Sequence, residues 1–414
     1  MSSKQEDKTL MPAEKQALVP KLRFPEFRKV GEWERKPLKS ICVMQAGKFV
    51  AAADIFENSR YDLYPCYGGN GLRGYTKTHT HSGKYPLIGR QGALCGNVNL
   101  VNGQFHATEH AVVTTPKSEV NVDWLYYMLD LLNLNRFATG QAQPGLSVEV
   151  LDKVQSFVPQ EPEQQKIADC LTSLDELITL EAQKLDTLKT HKKGLMQQLF
   201  PAEGKTVPKL RFPEFREASE WKKQRISSLL VRAVRPLSVK IEETYREIGI
   251  RSHGKGIFHK EPVLGKSLGD KRVFHVEESA FVLNIVFAWE QAVAVTSVAE
   301  KGMIASHRFP MYKPREHKSD VEFIKYFFLT CKGRELLGIA SPGGAGRNKT
   351  LGQKEFEKLE FLSPEKVEEQ TTIACCLSSI DDLIAVQTQK LDVLKTHKKG
   401  LLQQLFPALD EVQG

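Results

Sequence analysis

The chain has 414 residues, 41% hydrophobic and 26% charged, with a formal net charge of +8. This length points to two or three domains, and the composition is too apolar for a disordered chain. No apolar run approaches the ~20 residues that cross a bilayer, and the seven cysteines are scattered without a CxxC pair, which argues against a disulfide framework or a zinc site. The positive balance leans toward polyanionic partners but does not by itself identify one.

Residues 1–18 read as a polar tail without the apolar core of a signal peptide, so the expected location is the cytoplasm. At Val19 begins Val-Pro-Lys-Leu-Arg-Phe-Pro-Glu-Phe-Arg28, which returns unchanged at Val207 to Arg216. A second segment, Leu185 to Pro201, returns nearly intact as Leu391 to Pro407. The chain is a tandem duplication. The two offsets differ, so the material between the repeated frames has changed length and largely content. Each Arg-Phe-Pro-Glu-Phe motif is followed by a Trp (Trp33, Trp221) and an amphipathic stretch, with Leu38 and Ile41 in the first copy and Ile226 and Leu229 in the second. These read as core anchors.

The first insert is dense in Gly, Tyr and Asn, notably Tyr67 to Tyr75 and Pro86 to Gly92. Short β-branched runs such as Ala111 to Thr115 predict strands joined by irregular loops. Val122-Asp-Trp-Leu-Tyr-Tyr, echoed by Val321-Glu-Phe-Ile-Lys-Tyr, predicts a short buried helix in each half. Glycine loops admit a ligand close to the backbone, and Asn70, Arg73, Arg90 and Gln91 are residue types that read purine edges. Together with Lys77 they are the candidate nucleic-acid contacts of this insert, although ordinary tight turns would use the same glycines.

Past Pro162, apolar residues fall at Ile167, Leu171, Leu174, Ile178, Leu185, Leu188, Leu195 and Leu199, with Glu181 and Lys192 as polar positions in the same seam. Steps of four and three predict a heptad helix over Glu163 to Phe200, about 57 Å long at 1.5 Å per residue. The second copy repeats the seam at Ile373, Leu377, Ile380, Ile384, Leu391, Leu394, Leu401 and Leu405, with Gln387 and Lys398 in the polar slots. Each helix could pack on its own globular core. Two matched seams more simply pair with each other, antiparallel if the halves are related by a pseudo-two-fold axis, and the pair would then act as a ruler. Lys189, Lys192 and Lys193, with their counterparts Lys395, Lys398 and Lys399, would complement the helix dipole at each C-terminus.

The second insert offers Arg251-Ser-His-Gly-Lys255, Ser306-His-Arg308 and a glycine run ending in Arg347, Asn348 and Lys349. Arg251, Lys255, His307, Arg308, Arg347, Asn348 and Lys349 are its candidate contacts. The expected boundaries are a first globular domain at 19–160, a central helix and linker at 161–203, a second globular domain at 204–365, a C-terminal helix at 366–407 and a tail at 408–414. The fold class is α+β, with two pseudo-symmetric globular domains separated by two long helices in an antiparallel coiled coil.

Catalytic signatures are missing from the sequence. No Pro-Pro pair occurs, so the Asn/Asp-Pro-Pro-aromatic motif of an amino-methyltransferase is absent. Gly249 to Gly256 has Walker spacing but Gly256 where Ser or Thr must meet magnesium. His79, His81, Glu109 and His110 have no partner at metal-ligand spacing, so no metal site is expected.

The repeated Pro-Lys-Leu-Arg-Phe-Pro-Glu-Phe…Trp openings, the helix starts Gln164-Gln-Lys-Ile-Ala168 and Gln370-Thr-Thr-Ile-Ala374, the Leu-Asp-Glu-Leu-Ile and Ile-Asp-Asp-Leu-Ile turns from Leu174 and Ile380, and both Lys-Lys-Gly-Leu…Gln-Gln-Leu-Phe-Pro ends resemble the DNA-specificity (S) subunits of type I restriction-modification systems. The resemblance implies two target-recognition domains, each reading one half of a split target on double-stranded DNA. It also implies a non-catalytic subunit that recruits two methyltransferase (M) subunits and up to two restriction/translocase (R) subunits. S-adenosylmethionine, ATP and magnesium would be bound by those partners, with no cofactor on this chain and no membrane partner. The alternatives are a duplicated DNA-binding adaptor outside restriction and a coiled-coil interaction protein without a DNA role.

Overall fold

The structure, a computed structural model, describes residues 18–92, 94–140, 144–343 and 349–407. Its mixed strands and helices form two compact units: one holds residues up to Ala182 together with those from Gln389 onward, the other Gln183–Thr388.

In the first unit, buried Trp33 precedes β1 (Glu34–Pro37), the single turn α1 (Leu38–Ile41) and β2 (Cys42–Ala46). The insert then supplies β3 (Tyr64–Gly68), β4 (Gly71–Thr76), β5 (His81–Gly89), β6 (Val98–Ala107) and β7 (Ala111–Pro116). With β2 they form a six-stranded sheet in the order β2-β7-β5-β6-β3-β4, antiparallel except for β3 beside β6. Helix α2 (Val122–Leu131) is capped by Asn121, whose side-chain oxygen accepts from the Asp123 and Trp124 amides at 2.9 Å. It buries Trp124, Leu125, Tyr127, Met128 and Leu129, as the sequence motif predicts. The short α3 (Val148–Lys153) and β8 (Gln155–Val158), paired with β1, lead into α4 (Glu161–Leu199).

The second unit repeats this plan around different contents. β9 (Lys222–Arg225), α5 (Ile226–Leu229) and β10 (Leu230–Ala233) correspond to β1, α1 and β2. The insert holds short strands: β11 (Thr244–Tyr245), β12 (Ile248–Ile250), β13 (Ile257–His259), β14 (Val263–Leu264), β15 (Val273–His275), β16 (Phe281–Leu283), β17 (Val293–Val295), β18 (Ile304–Ser306) and β19 (Met311–Pro314). One four-stranded sheet, β10-β19-β16-β17, carries the core, and the remaining strands pair as small ribbons. Helices α6 (Val321–Leu329), α7 (Cys331–Ile339) and α8 (Gln353–Lys358) follow, then β20 (Glu360–Ser363), paired with β9, and α9 (Val367–Leu405). Asp320 caps α6 as Asn121 caps α2.

The repeated motif has a structural purpose in both units. Arg23 forms a two-point ion pair with Glu163 at the start of α4, Nε to Oε1 and Nη2 to Oε2 both at 2.7 Å, with the two side chains 6% and 1% exposed. Its remaining nitrogen donates to the Val30 and Gly31 carbonyls, and the Trp33 indole donates to Glu163 Oε1 at 3.3 Å. Arg211, Glu369 and Trp221 repeat this arrangement, with bonds of 2.7, 2.8 and 3.1 Å. Each carboxylate raises the pKa of its arginine by accepting from the guanidinium. Next to it, Gln164 accepts from the Asn121 amide and donates to the Pro159 and Glu119 carbonyls, and Gln370 does the same with Asp320, Pro364 and Lys318. The motif and the helix start are one buried polar latch, separated by 140 residues of chain in the first unit and 158 in the second.

Within each unit the long helices run antiparallel. In the first, Asp175 of α4 binds Lys398 of α9, and Glu181, farther along α4, binds Lys390, earlier in α9. In the second, Lys192 binds Asp381 while Leu199, farther along, packs in one core with Ile373, Ala374 and Leu377. The seam residues Ile167, Leu171, Leu185, Ile373, Leu377, Ile380 and Leu391 are buried, and Leu174, Ile178, Leu188, Ile384 and Leu394 are half-buried. The two packing modes weighed from the sequence coexist. Ile167 and Leu171 belong to the core of their own globular part, which also receives Leu405 and Phe406 from the end of α9. Lys192 and Lys398 require a correction. Their ammonium groups lie 2.5 Å from Asp381 and Asp175, so they serve interhelical ion pairs rather than the helix dipole.

Candidate nucleic-acid interface

Among the described residues no helix is long and apolar enough to cross a membrane, and no group of three His, Cys, Asp or Glu side chains is placed to hold a metal. The candidate contact residues singled out from the sequence lie on the inserts. In the first unit the β3–β4 turn packs on the loops after β5 and β6. At Gly89 only glycine allows this approach, since a Cβ there would lie 2.2 Å from the Gly69 carbonyl oxygen, and at Gly69 a Cβ would be tight, 3.0 Å from the His110 carbonyl oxygen. The loops are tied by Arg90 N–H donating to the His110 carbonyl and Leu146 N–H donating to the Arg90 carbonyl, both at 2.9 Å.

This packing leaves an open concavity of about 420 Å³ lined by Asn70, Arg73, Gln91, His110 and the turn glycines. Three candidates singled out from sequence meet there, although Asn70 and Gln91 stand 21 positions apart. Arg90 lies beside Gln91 with its backbone engaged, whereas Lys77, exposed beyond the end of β4, does not line the concavity. His110 is a lining residue that spacing did not single out. Its neighbour Glu109 stands 3.2 Å from its Nε2.

In the second unit Arg251 and Lys255 lie on the β12–β13 hairpin. The Arg251 guanidinium sits 4.9 Å from the Phe258 ring centre and donates to the Ile257 carbonyl. The Walker-like spacing thus falls on an antiparallel hairpin (Ile250 opposite Ile257), not on a strand-to-helix phosphate loop. Ser252 donates to the Glu290 carboxylate at 2.8 Å and His253 N–H to the Glu290 carbonyl at 2.7 Å, fastening the hairpin to the Ala288–Glu290 turn. Lys349 Nζ lies 5.5 Å from the Trp289 ring centre on that turn. His307 and Arg308 are exposed in the β18–β19 connection. The Arg308 carbonyl accepts from Ile285 N–H and the Ile285 carbonyl from Leu351 N–H, which links their loop to the irregular segment after Lys349. Among the described candidates of this unit, Lys349 is the one set against Trp289, and sequence reasoning missed that tryptophan because its turn carries no glycine or charge cluster. Arg347 and Asn348 lie outside the described residues.

The sequence matches the family described as "Type I restriction modification DNA specificity domain" over residues 31–190 and 276–396, more than half of the chain. It is 48% identical over 147 residues to the type I restriction enzyme EcoprrI specificity subunit of Escherichia coli, covering 35% of this chain and 37% of that one. It is also 24% identical over 296 residues to the putative type I restriction enzyme MjaX specificity subunit of Methanocaldococcus jannaschii, covering 68% and 67%. The match to the E. coli subunit thus spans well under two thirds of that protein's length. In fold, the chain superposes on the crystal structure of a type I restriction-modification system S subunit from M. genitalium with a TM-score of 0.67. That superposition covers 95% of this chain and 100% of the other, at 15% identity.

Proposed function

We propose, from the premise that this chain belongs to the type I restriction-modification DNA specificity family, that it reads a bipartite sequence on double-stranded DNA and brings M and R subunits to it. The observation carrying this reading is the contrast inside the duplication. The Arg–Glu–Trp latches and helix pairs are the same in both units, whereas the inserts differ in strand content, the first grouping Asn70, Arg73 and Gln91 around glycine turns and the second setting Arg251 and Lys349 over aromatic rings. Like frames with unlike surfaces suit two readers of different half-sites.

In this reading Lys and Arg on phosphates supply salt-dependent affinity, and a few side chains on base edges supply discrimination. The chain itself performs no bond chemistry. S-adenosylmethionine on the M subunits, and ATP with magnesium on the R subunits, serve methylation and translocation. The helices, continuous from one unit into the next, make the spacer between half-sites part of the target.

The test is to reconstitute the full chain with methyltransferase subunits and map methylated adenines on genomic DNA. A split motif that disappears when this chain is omitted is expected, with binding that falls steeply as salt rises. Methylation unchanged without the chain would overturn the reading. Specific binding with no methyltransferase in the complex would favour an adaptor outside restriction, and no specific binding at low salt would favour a coiled-coil interaction protein.

A further inference from the structure

We infer that the glycine-walled concavity of the first unit is a base-edge reading site, in which Arg73 and Gln91 determine the identity of adjacent base pairs and Asn70 and His110 flank them. This rests on the DNA-reading function proposed above and narrows it from an insert to a few side chains.

Three observations converge. The first is that these side chains are uncommitted. The guanidinium of Arg23 is consumed by Glu163 and main-chain carbonyls, whereas Arg73, Asn70 and Gln91 have no side-chain hydrogen bond or ion pair among the described residues. The second is that the surface holding them is built to a fixed shape. Gly89 allows backbone-to-backbone packing that any Cβ would block, Gly69 sits where a Cβ would be tight, and the Arg90–His110 and Leu146–Arg90 hydrogen bonds tie the three loops. Turns with no ligand to meet do not need this convergence of free side chains on a rigid floor. The third is beside that floor, where Thr108 Oγ1 is buried without a hydrogen-bond partner among the described residues. A Cβ on Gly68 would stand 3.6 Å from that Thr108 oxygen and 3.8 Å from Arg73 Cδ, so this unpartnered hydroxyl adjoins the arginine stem.

The chemistry matches a base edge better than a phosphate. A phosphate site would collect cations and backbone N–H groups and would keep a carboxylate away. Here one guanidinium is joined by two carboxamides and an imidazole, with Glu109 within 3.2 Å of His110. A guanidinium fork pairs with guanine O6 and N7, and a carboxamide with adenine N6 and N7. In the second unit the cations instead lie over aromatic rings at Phe258 and Trp289, a different arrangement for a different half-site.

The experiment uses the full chain with its methyltransferase subunits and a duplex pool randomised across the target. Arg73→Lys keeps the charge and removes the fork, and Gln91→Ala removes the carboxamide. Each is expected to lower discrimination at one base pair, the same half-site being affected by both, by about 5- to 150-fold. The salt dependence and the other half-site should stay as in the unaltered chain. Uniform weakening over all sequences by Arg73→Ala, with a shallower salt slope, would make this a phosphate contact and overturn the assignment. So would unchanged discrimination in all three variants, with their folding checked by circular dichroism. An unaltered chain with no sequence preference at all would instead refute the DNA-reading function, and this inference with it.

Discussion

Glu163 and Glu369 are each about 1% exposed and bonded to both an arginine and a tryptophan, so neutralising either leaves a guanidinium stranded in the interior. Breaking a buried pair from one side destabilises by about 3–5 kcal/mol, whereas replacing both partners by apolar residues is often neutral. Glu163→Gln is therefore expected to lower the urea midpoint sharply, and Arg23→Met with Glu163→Met to recover most of the loss. A double variant no better than the single would refute the latch. Cysteine chemistry follows burial in the same way. Desolvation pushes the Cys42 thiol up to about 12 and raises Cys66 and Cys95, whereas Cys331 and Cys375 are exposed. Near pH 8, peptide mass mapping should find iodoacetamide on Cys331 and Cys375 while Cys42 stays unmodified until the chain unfolds.

The helix pair is specified by more than its apolar seam. A heptad stripe alone tolerates sliding by seven residues, but each Lys slot meets an Asp that also accepts from a buried tyrosine, Tyr127 at 2.8 Å and Tyr326 at 2.7 Å. A slipped register would separate the lysine from its partner and leave that aspartate facing apolar neighbours, which makes the pair a register key. Burial and the neighbouring carboxylate both raise the pKa of the two tyrosines, so these hydroxyls remain donors through the physiological range. Because Asp175 is 35% exposed, solvent screening keeps its coupling to Lys398 modest, at about 1 kcal/mol in a double-mutant cycle. Zero coupling would remove the key. The seam was legible because its period is local. The role of Lys192 and Lys398 was not, since a lysine near a helix end satisfies the dipole argument as well, and only the facing helix supplies Asp381 and Asp175.

In the second unit, Phe200 reaches its core along the covalent chain, where it packs with Trp221 and Phe323. In the first unit the same place is taken by Phe406, against Trp33 and Trp124, delivered by the far end of the chain. Leu22 N–H donates to the Gln404 carbonyl as Leu210 N–H donates to that of Gln198. Deleting residues from Leu401 onward should therefore strip hydrogen-exchange protection from the first unit while the second retains it. Equal loss in both would show that the units do not close in this way. If the helices set the spacer, inserting one helical turn at matched positions of α4 and α9 should change the preferred spacer in the methylated motif and leave both half-sites as they are. An unchanged spacer would count against the ruler.

The duplication, the two long helices, the Trp anchors and the split between repeated frames and unlike inserts were determined by sequence, because repeats and heptads are properties of residue order. Tertiary structure decided what order cannot encode locally: that Arg23 finds Glu163 across 140 residues, that Lys398 answers Asp175, and that Asn70, Arg73, Gln91 and His110 meet on one glycine floor. Each of these depends on which loop packs against which, and that is set by burial and by the close approach glycine permits.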